Sequence, residues 1–449
     1  MSYDLVIKNG TAILANEAEK VDIAVKDGII TDIAESITAS GAKIIDAEGK
    51  HIFPGMIDVH VHFNEPGRAD WEGISTGSAM MAAGGATAYF DMPLNGVPST
   101  IDKKALKDKT KIAAAKSYTD FGLWGGLVPG NIDQLADLAE AGVVGFKAFI
   151  SPSGNQEFEA VDDQTLFNGM KKIAELGKIL ALHAESALIV TEMQREMEAQ
   201  GLKSAESYTA SRPIAAEVEA VQRALHYGEV TGCALHFVHI SSERAVKLIT
   251  EAKQRGQDVT VETCPHYLMF NDNDLSEIGP AAKCAPPLRA QSEQQKLIEL
   301  IKEGQFDMVA SDHSPSPWEL KVTEDNNMFK AWGGISGGQF SLLSMVELAL
   351  ENDIPLWKIA RLTALQPAQR FGLYPQKGEI KVGCDADFAI INLNAGFKVT
   401  EEDLFSKHKH SLYVNHTFPC SIDTTILGGK IVYQNMQIIE SPTGKWLKN

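Results

Sequence analysis

The sequence predicts an α/β protein: a (β/α)₈ barrel of the TIM type carrying a small β-sandwich built from both chain termini. Three observations predict it. Across roughly residues 53–375, short apolar runs alternate with amphipathic stretches about eight times. Both ends read as β instead. The length, 449 residues, suits one large barrel plus a smaller domain.

At the front, Leu5 and Ile7 alternate with polar neighbours, and Asp27-Gly28 sits between two apolar runs as a hairpin signal. The rear matches it: GEIKVGCDADFAIINLN reads as a strand pair, and TTILGGKIVYQNM turns at Gly428-Gly429. Residues 1–52 and 376–449 are therefore expected to form one discontinuous domain around a barrel over 53–375. The barrel runs are GMIDVHVHF, ATAYFDMP, FGLWGGLV, VGFKAFIS, ILALHAE, ALHFVHIS, DVTVETCPHY and FDMVASDHSP. Segments such as SERAVKLITEAKQRG and SEQQKLIELIKEG lie between them and have the spacing of helices with one apolar face.

Composition excludes several classes. Asp plus Glu is 59 against 41 Lys plus Arg, a formal charge of −18. That balance argues against a nucleic-acid partner or an anionic membrane surface, both of which need a basic face. No apolar run reaches the roughly 18 residues of a membrane span. The first residues show neither a basic segment nor an apolar one of the kind a signal peptide carries. Five widely spaced cysteines form neither a disulfide framework nor a CxxC metal knuckle. A reduced, cytoplasmic enzyme is the expectation.

In such a barrel the active site lies where strands end, and that is where unusual polar residues fall. His60 and His62 close the first run; their two-residue step puts both imidazoles on one face of a strand, as a metal pair needs. Lys147 stands inside VVGFKAFIS with apolar neighbours. It must line a pocket, pair with a barrel carboxylate, or react with CO₂ to give an anionic carbamate able to bridge two metals. His183 ends ILALHAE, His239 ends ALHFVHISS, and Asp312 ends FDMVASDHSP. His236, an odd number of positions from His239, is expected to face away and pack against a helix; His313 is expected on the far side of its strand. His266 reads equally as a loop residue or a substrate contact. Imidazole and carboxylate ligands of this kind suit Zn²⁺ or a similar divalent ion. Two such ions about 3.5–4 Å apart activate water and polarise a carbonyl.

With these residues in order, the chain resembles the amidohydrolase superfamily, and within it the cyclic amidases: dihydroorotases, hydantoinases, dihydropyrimidinases and allantoinases. The resemblance runs from PGMIDVHVHF to GCDADFAI. It implies two divalent metal ions, zinc or else cobalt or manganese. One would be held by His60, His62 and Asp312 and the other by His183 and His239, with carbamylated Lys147 as the bridge. Asp312 would be general base and then acid.

Departures narrow the group. The arginine of the dihydroorotase HxHxREPG motif is Asn64 here, and the histidine of their DHAPH motif is Ser316. The hydantoinase tyrosine five residues after the lysine is Pro152, and the asparagine of their PNG loop falls on Gly333. EPGRADWEG, DMPLN, SRPIAAEVEA and FKAWGGISG match the allantoinase pattern. The resemblance implies hydrolysis of allantoin to allantoate, a small cyclic ureide as the partner, and a homo-oligomer, specifically a tetramer. Asn95, Ala285 in KCAPPLR, and Gly333 are the expected substrate contacts, the last two through main-chain groups. Arg68 and Trp71 are expected to anchor a loop.

Overall fold

The computed structural model describes residues 3–38, 40–439 and 441–448. The middle of the chain builds a ring of eight parallel strands. They are Met56–Val61, Ala86–Asp91, Asp120–Leu123 continuing through Gly125–Gly126, Phe146–Phe149, Ile179–His183, Ala234–Phe237, Val259–Thr263 and Met308–Val309. Each pairs in parallel with the next. The ring closes where the chain beyond the eighth strand returns to the first: Val61 bridges His313 in parallel, and the His62 amide donates to the His313 carbonyl at 2.8 Å.

Local chemistry explains the helices between the strands. Asp102 caps Lys103–Lys116 by accepting from the Ala105 amide at 2.8 Å, and Asp162 caps Asp163–Glu175 through Thr165 at 2.7 Å. Leu135–Ala141 ends on Gly142, whose φ of 104° suits a residue without Cβ. Glu243–Gln254 buries Ala245, Val246, Ile249 and Ala252, one stripe at helical spacing against the barrel.

Both termini meet in one nine-stranded sheet. Its seam is the antiparallel pair His51–Pro54 and Phe388–Asn392, one strand from each end of the chain. Ile23 and Ile30 near one edge share a buried apolar core with Ile426 and Ile431 near the other, so the sheet folds over on itself as a sandwich. The hairpin tips Asp27-Gly28 and Gly428-Gly429 touch; all four have positive φ, which two-residue turns require.

Three details differ from expectation. Of GEIKVGCDADFAIINLN only Phe388–Asn392 is a strand, because Gly383 takes φ 98° and turns the chain before it. Phe397–Lys398 and Thr417–Phe418 form their own short pair, and the Tyr413 and Phe418 rings pack on Phe340 of the barrel at 5.2 and 5.6 Å. Residues 444–447 lie along the third barrel strand: Trp446 bridges Phe121, and the Lys445 amide donates to Asp120 at 2.8 Å. Alternating apolar residues show that a segment is β without showing which sheet or face receives it.

Candidate metal centre

Each ligand candidate occupies a strand end. His60 and His62 flank the end of the first strand, and His183 is the last residue of Ile179–His183. His239 and Asp312 lie just past their strands, with φ of 40° and 48°. Asn64 and Asn95 also have positive φ, 61° and 67°. This left-handed region is costly for residues other than glycine, and such strain collects where surrounding structure enforces a working geometry.

The structure brings the six residues together. His60 Nε2 and His62 Nε2 each lie 3.2 Å from Asp312 Oδ1, and the ligand atoms of these three fall within 4.8 Å of one another. His183 Nδ1 and His239 Nε2 approach to 3.0 Å. The His60 and His239 rings, 5.5 Å apart, connect the two groups. Lys147 lies fully buried among them, its Nζ without a hydrogen-bond partner among the described residues.

Burial lowers the Lys147 amine to about 8, against the pull of Glu262 and Asp312. Burial likewise lowers His60, His183 and His239, keeping them neutral and free to bind metal. Burial alone would raise Asp312, but the imidazoles of His60, His62 and His239 hold its carboxyl well below the ordinary range. Neutral imidazoles, an ionised carboxylate and a desolvated amine on one spot fit divalent ions.

Above this cluster opens a cavity of about 310 Å³, walled in part by Asn95, Ala285 and Gly333. Asn95 Oδ1 is buried there without a partner among the described residues. His313 is turned away, accepting from the Gly338 amide at 3.3 Å and lying 3.4 Å from Glu72. His266 sits buried in Pro265–Met269, outside the cavity wall, and burial lowers it to about 4. Arg68 stacks over Trp71 at 4.9 Å, and Trp71 packs on the cavity residue Trp332.

His236 corrects an expectation. It points into the barrel, donating or accepting at Thr260 Oγ1 (2.9 Å) and Glu262 Oε2 (2.9 Å). The odd-spacing argument fails because the strand ends at Phe237 and His239 is already left-handed.

Glu262 is the main residue that sequence reasoning passed over. Its carboxylate meets His60 Nδ1 at 2.6 Å, His236 Nε2 at 2.9 Å and the His239 amide at 3.1 Å. Burial opposes its charge, but His60 and His236 outweigh that and bring it to about 2. Glu185 does the same for His183, 2.8 Å from its Nε2, and Arg212 donates to Glu185 at 2.7 Å. A carboxylate inside the apolar run VTVET was a signal equal to that of Lys147.

The amidohydrolase family model matches residues 51–432. An allantoinase of Bacillus velezensis is 53% identical over 97% of this chain and 95% of its own length. One from Deinococcus radiodurans is 46% identical over 100% and 99%. Among solved structures, L-hydantoinase (dihydropyrimidinase) from Arthrobacter aurescens superposes with a TM-score of 0.95 at 33% identity, covering 100% of both chains. The family match includes the whole barrel and every residue of the cluster, and on that ground the chain belongs to the amidohydrolase family.

Proposed function

We propose that this chain hydrolyses allantoin to allantoate, opening the hydantoin ring at a pair of divalent metal ions, zinc by preference. One observation carries the reading: a buried His–His–Asp, His–His and lysine cluster beneath a small cavity, in a chain similar to allantoinases over nearly its whole length.

Divalent ions held here would polarise the ring carbonyl and acidify the attacking water. His60, His62 and Asp312 would hold one, and His183 and His239 the other. The neutral Lys147 amine would add CO₂, releasing a proton and leaving a carbamate with two oxygens for the two ions. Asp312, kept ionised by its imidazole neighbours, would take the proton from water and pass it to the departing ring nitrogen. Asn95 and the peptide groups at Ala285 and Gly333 would hold the ring, since the expected cationic side-chain grips are replaced by Asn64 and Ser316.

Hydantoin hydrolysis is the second reading, favoured by the likeness to the Arthrobacter aurescens structure. A homotetramer acting in the cytoplasm fits the five free, buried cysteines and the resemblance. The test is a substrate panel on metal-reconstituted protein: allantoin, hydantoin, dihydrouracil and dihydroorotate. Allantoin should give the highest kcat/KM. A higher value for hydantoin would move the assignment to the second reading; activity on none would end both.

A further inference from the structure

Two lysines that the chemistry does not use hold the wall of the cavity: Lys283 lines it, and Lys321 lies behind it, bonded to the wall residues Trp332 and Gly334. Lys283 is 5% exposed and Lys321 is 1% exposed, yet neither pairs with a carboxylate among the described residues. Burying an ammonium without a counter-charge is costly. Each is satisfied by main-chain carbonyls instead. Lys283 Nζ donates to Phe329 O at 3.3 Å and to Ala331 O. Lys321 Nζ donates to Trp332 O at 3.3 Å, Gly334 O at 2.6 Å and Pro280 O at 3.4 Å.

The amides of the same segment are also engaged. Trp332 donates to Leu320 O at 2.8 Å, and Gly334 to Lys283 O at 2.7 Å. Gly334 has φ 118°, and a Cβ there would run into the Ser314 carbonyl, so only glycine serves. Between these bonds the N–H and C=O of Gly333 itself have no hydrogen-bond partner among the described residues, and Gly333 lies on the cavity. Lys283 also begins the second main-chain wall, Cys284–Ala285. One residue thus ties both walls, by its ammonium and by its carbonyl.

The geometry points to Lys283 and Lys321 as positioning residues that set the spacing of these two walls, against which a planar cyclic ureide presents its own N–H and C=O groups. This rests on the cyclic-ureide reading above. A ring that must meet fixed peptide groups loses affinity when the walls spread. No hydrogen bond or ion pair from either ammonium reaches the six cluster residues among the described contacts, so the chemical step stays intact.

The test uses Lys283→Met and Lys321→Met in the metal-reconstituted protein, with metal content, steady-state kinetics on allantoin and amide hydrogen exchange measured together. KM should rise about tenfold to a hundredfold, the scale of one or two lost charge-assisted bonds. The kcat should stay within about threefold and metal content should hold, because bond making takes place elsewhere. Exchange at Trp332 and Gly334 should quicken. The double variant should fall short of the sum of the single effects, since both lysines hold one segment. Unchanged KM with unchanged exchange would overturn the assignment; so would falling kcat and metal content at constant KM. If the unaltered protein turns over no cyclic ureide, the functional reading fails by itself, and exchange still decides for or against the lysines. Should one variant not fold, the other carries the same comparison.

Discussion

Glu262→Gln tests how the two halves of the metal cluster are joined. The Glu262 carboxylate serves His60, His236 and the His239 amide. Alanine would strand three buried donors at roughly 1–3 kcal/mol each, a total comparable with the whole stability of a domain. Glutamine is milder. Its amide oxygen keeps His60 Nδ1 and the His239 amide, and its NH₂ faces His236 Nε2. His236 accommodates this by moving its proton to Nδ1, toward Thr260 Oγ1 at 2.9 Å. What remains lost is charge assistance to His60, about half the strength of such a bond or ~1 kcal/mol. Metal affinity should fall about fivefold to tenfold, at the low end of the range for residues that orient a ligating histidine. Both equivalents should weaken, since His60 belongs to one of the proposed ligand sets and His239 to the other. Competition with a chromophoric zinc chelator, starting from metal-free protein, measures each equivalent. Wild-type affinity for both in Glu262→Gln would refute the reasoning; weakening of only one would remove the bridging part of it.

Three further outcomes are expected. Asp312→Asn should keep most of its metal by elemental analysis but lose most turnover, about a hundredfold or more, because an amide cannot shuttle the proton; near-full rate would void the acid–base role. Lys147→Ala should lose metal affinity and nearly all activity; in the unaltered protein, metal added without bicarbonate should restore less rate than metal with it, and equal recovery with an unmodified lysine by mass would sink the carbamate. Burial brings Lys321 to about 7 from 10.5, so between those values the unfolded chain binds the extra proton and this lysine's contribution to stability grows with pH, being lost as pH falls toward 7. The stability gap between wild type and Lys321→Met, by urea unfolding, should shift in the wild type's favour from pH 7 to pH 10; a constant gap contradicts the depressed value.

Much of the site was legible because of where polar residues interrupt apolar runs. A charged or imidazole side chain ending a buried strand has few places to go except the strand-end face of a barrel, so His60, His62, Lys147, His183, His239 and Asp312 stood out as a set. The parity argument worked for His60 and His62, whose step spans the strand end without breaking its alternation. It failed for His236, because alternation ends when the chain leaves the strand and His239 turns left-handed.

By itself the sequence determined the α/β class, the alternation that makes a parallel barrel, and the residue types able to hold metal. These are local properties: periodicity, turn chemistry, and the cost of burying a charge. Only the tertiary structure decided what each buried group touches. Glu262 reaches His60 across 202 positions, Lys283 holds the carbonyl of Ala331 across 48, and the segment 444–447 returns to the third barrel strand across 325. The strength of a hydrogen bond or an ion pair depends on distance in space and on exclusion of water. Both are set when the strands close into a ring, and neither is written in the spacing of residues along the chain.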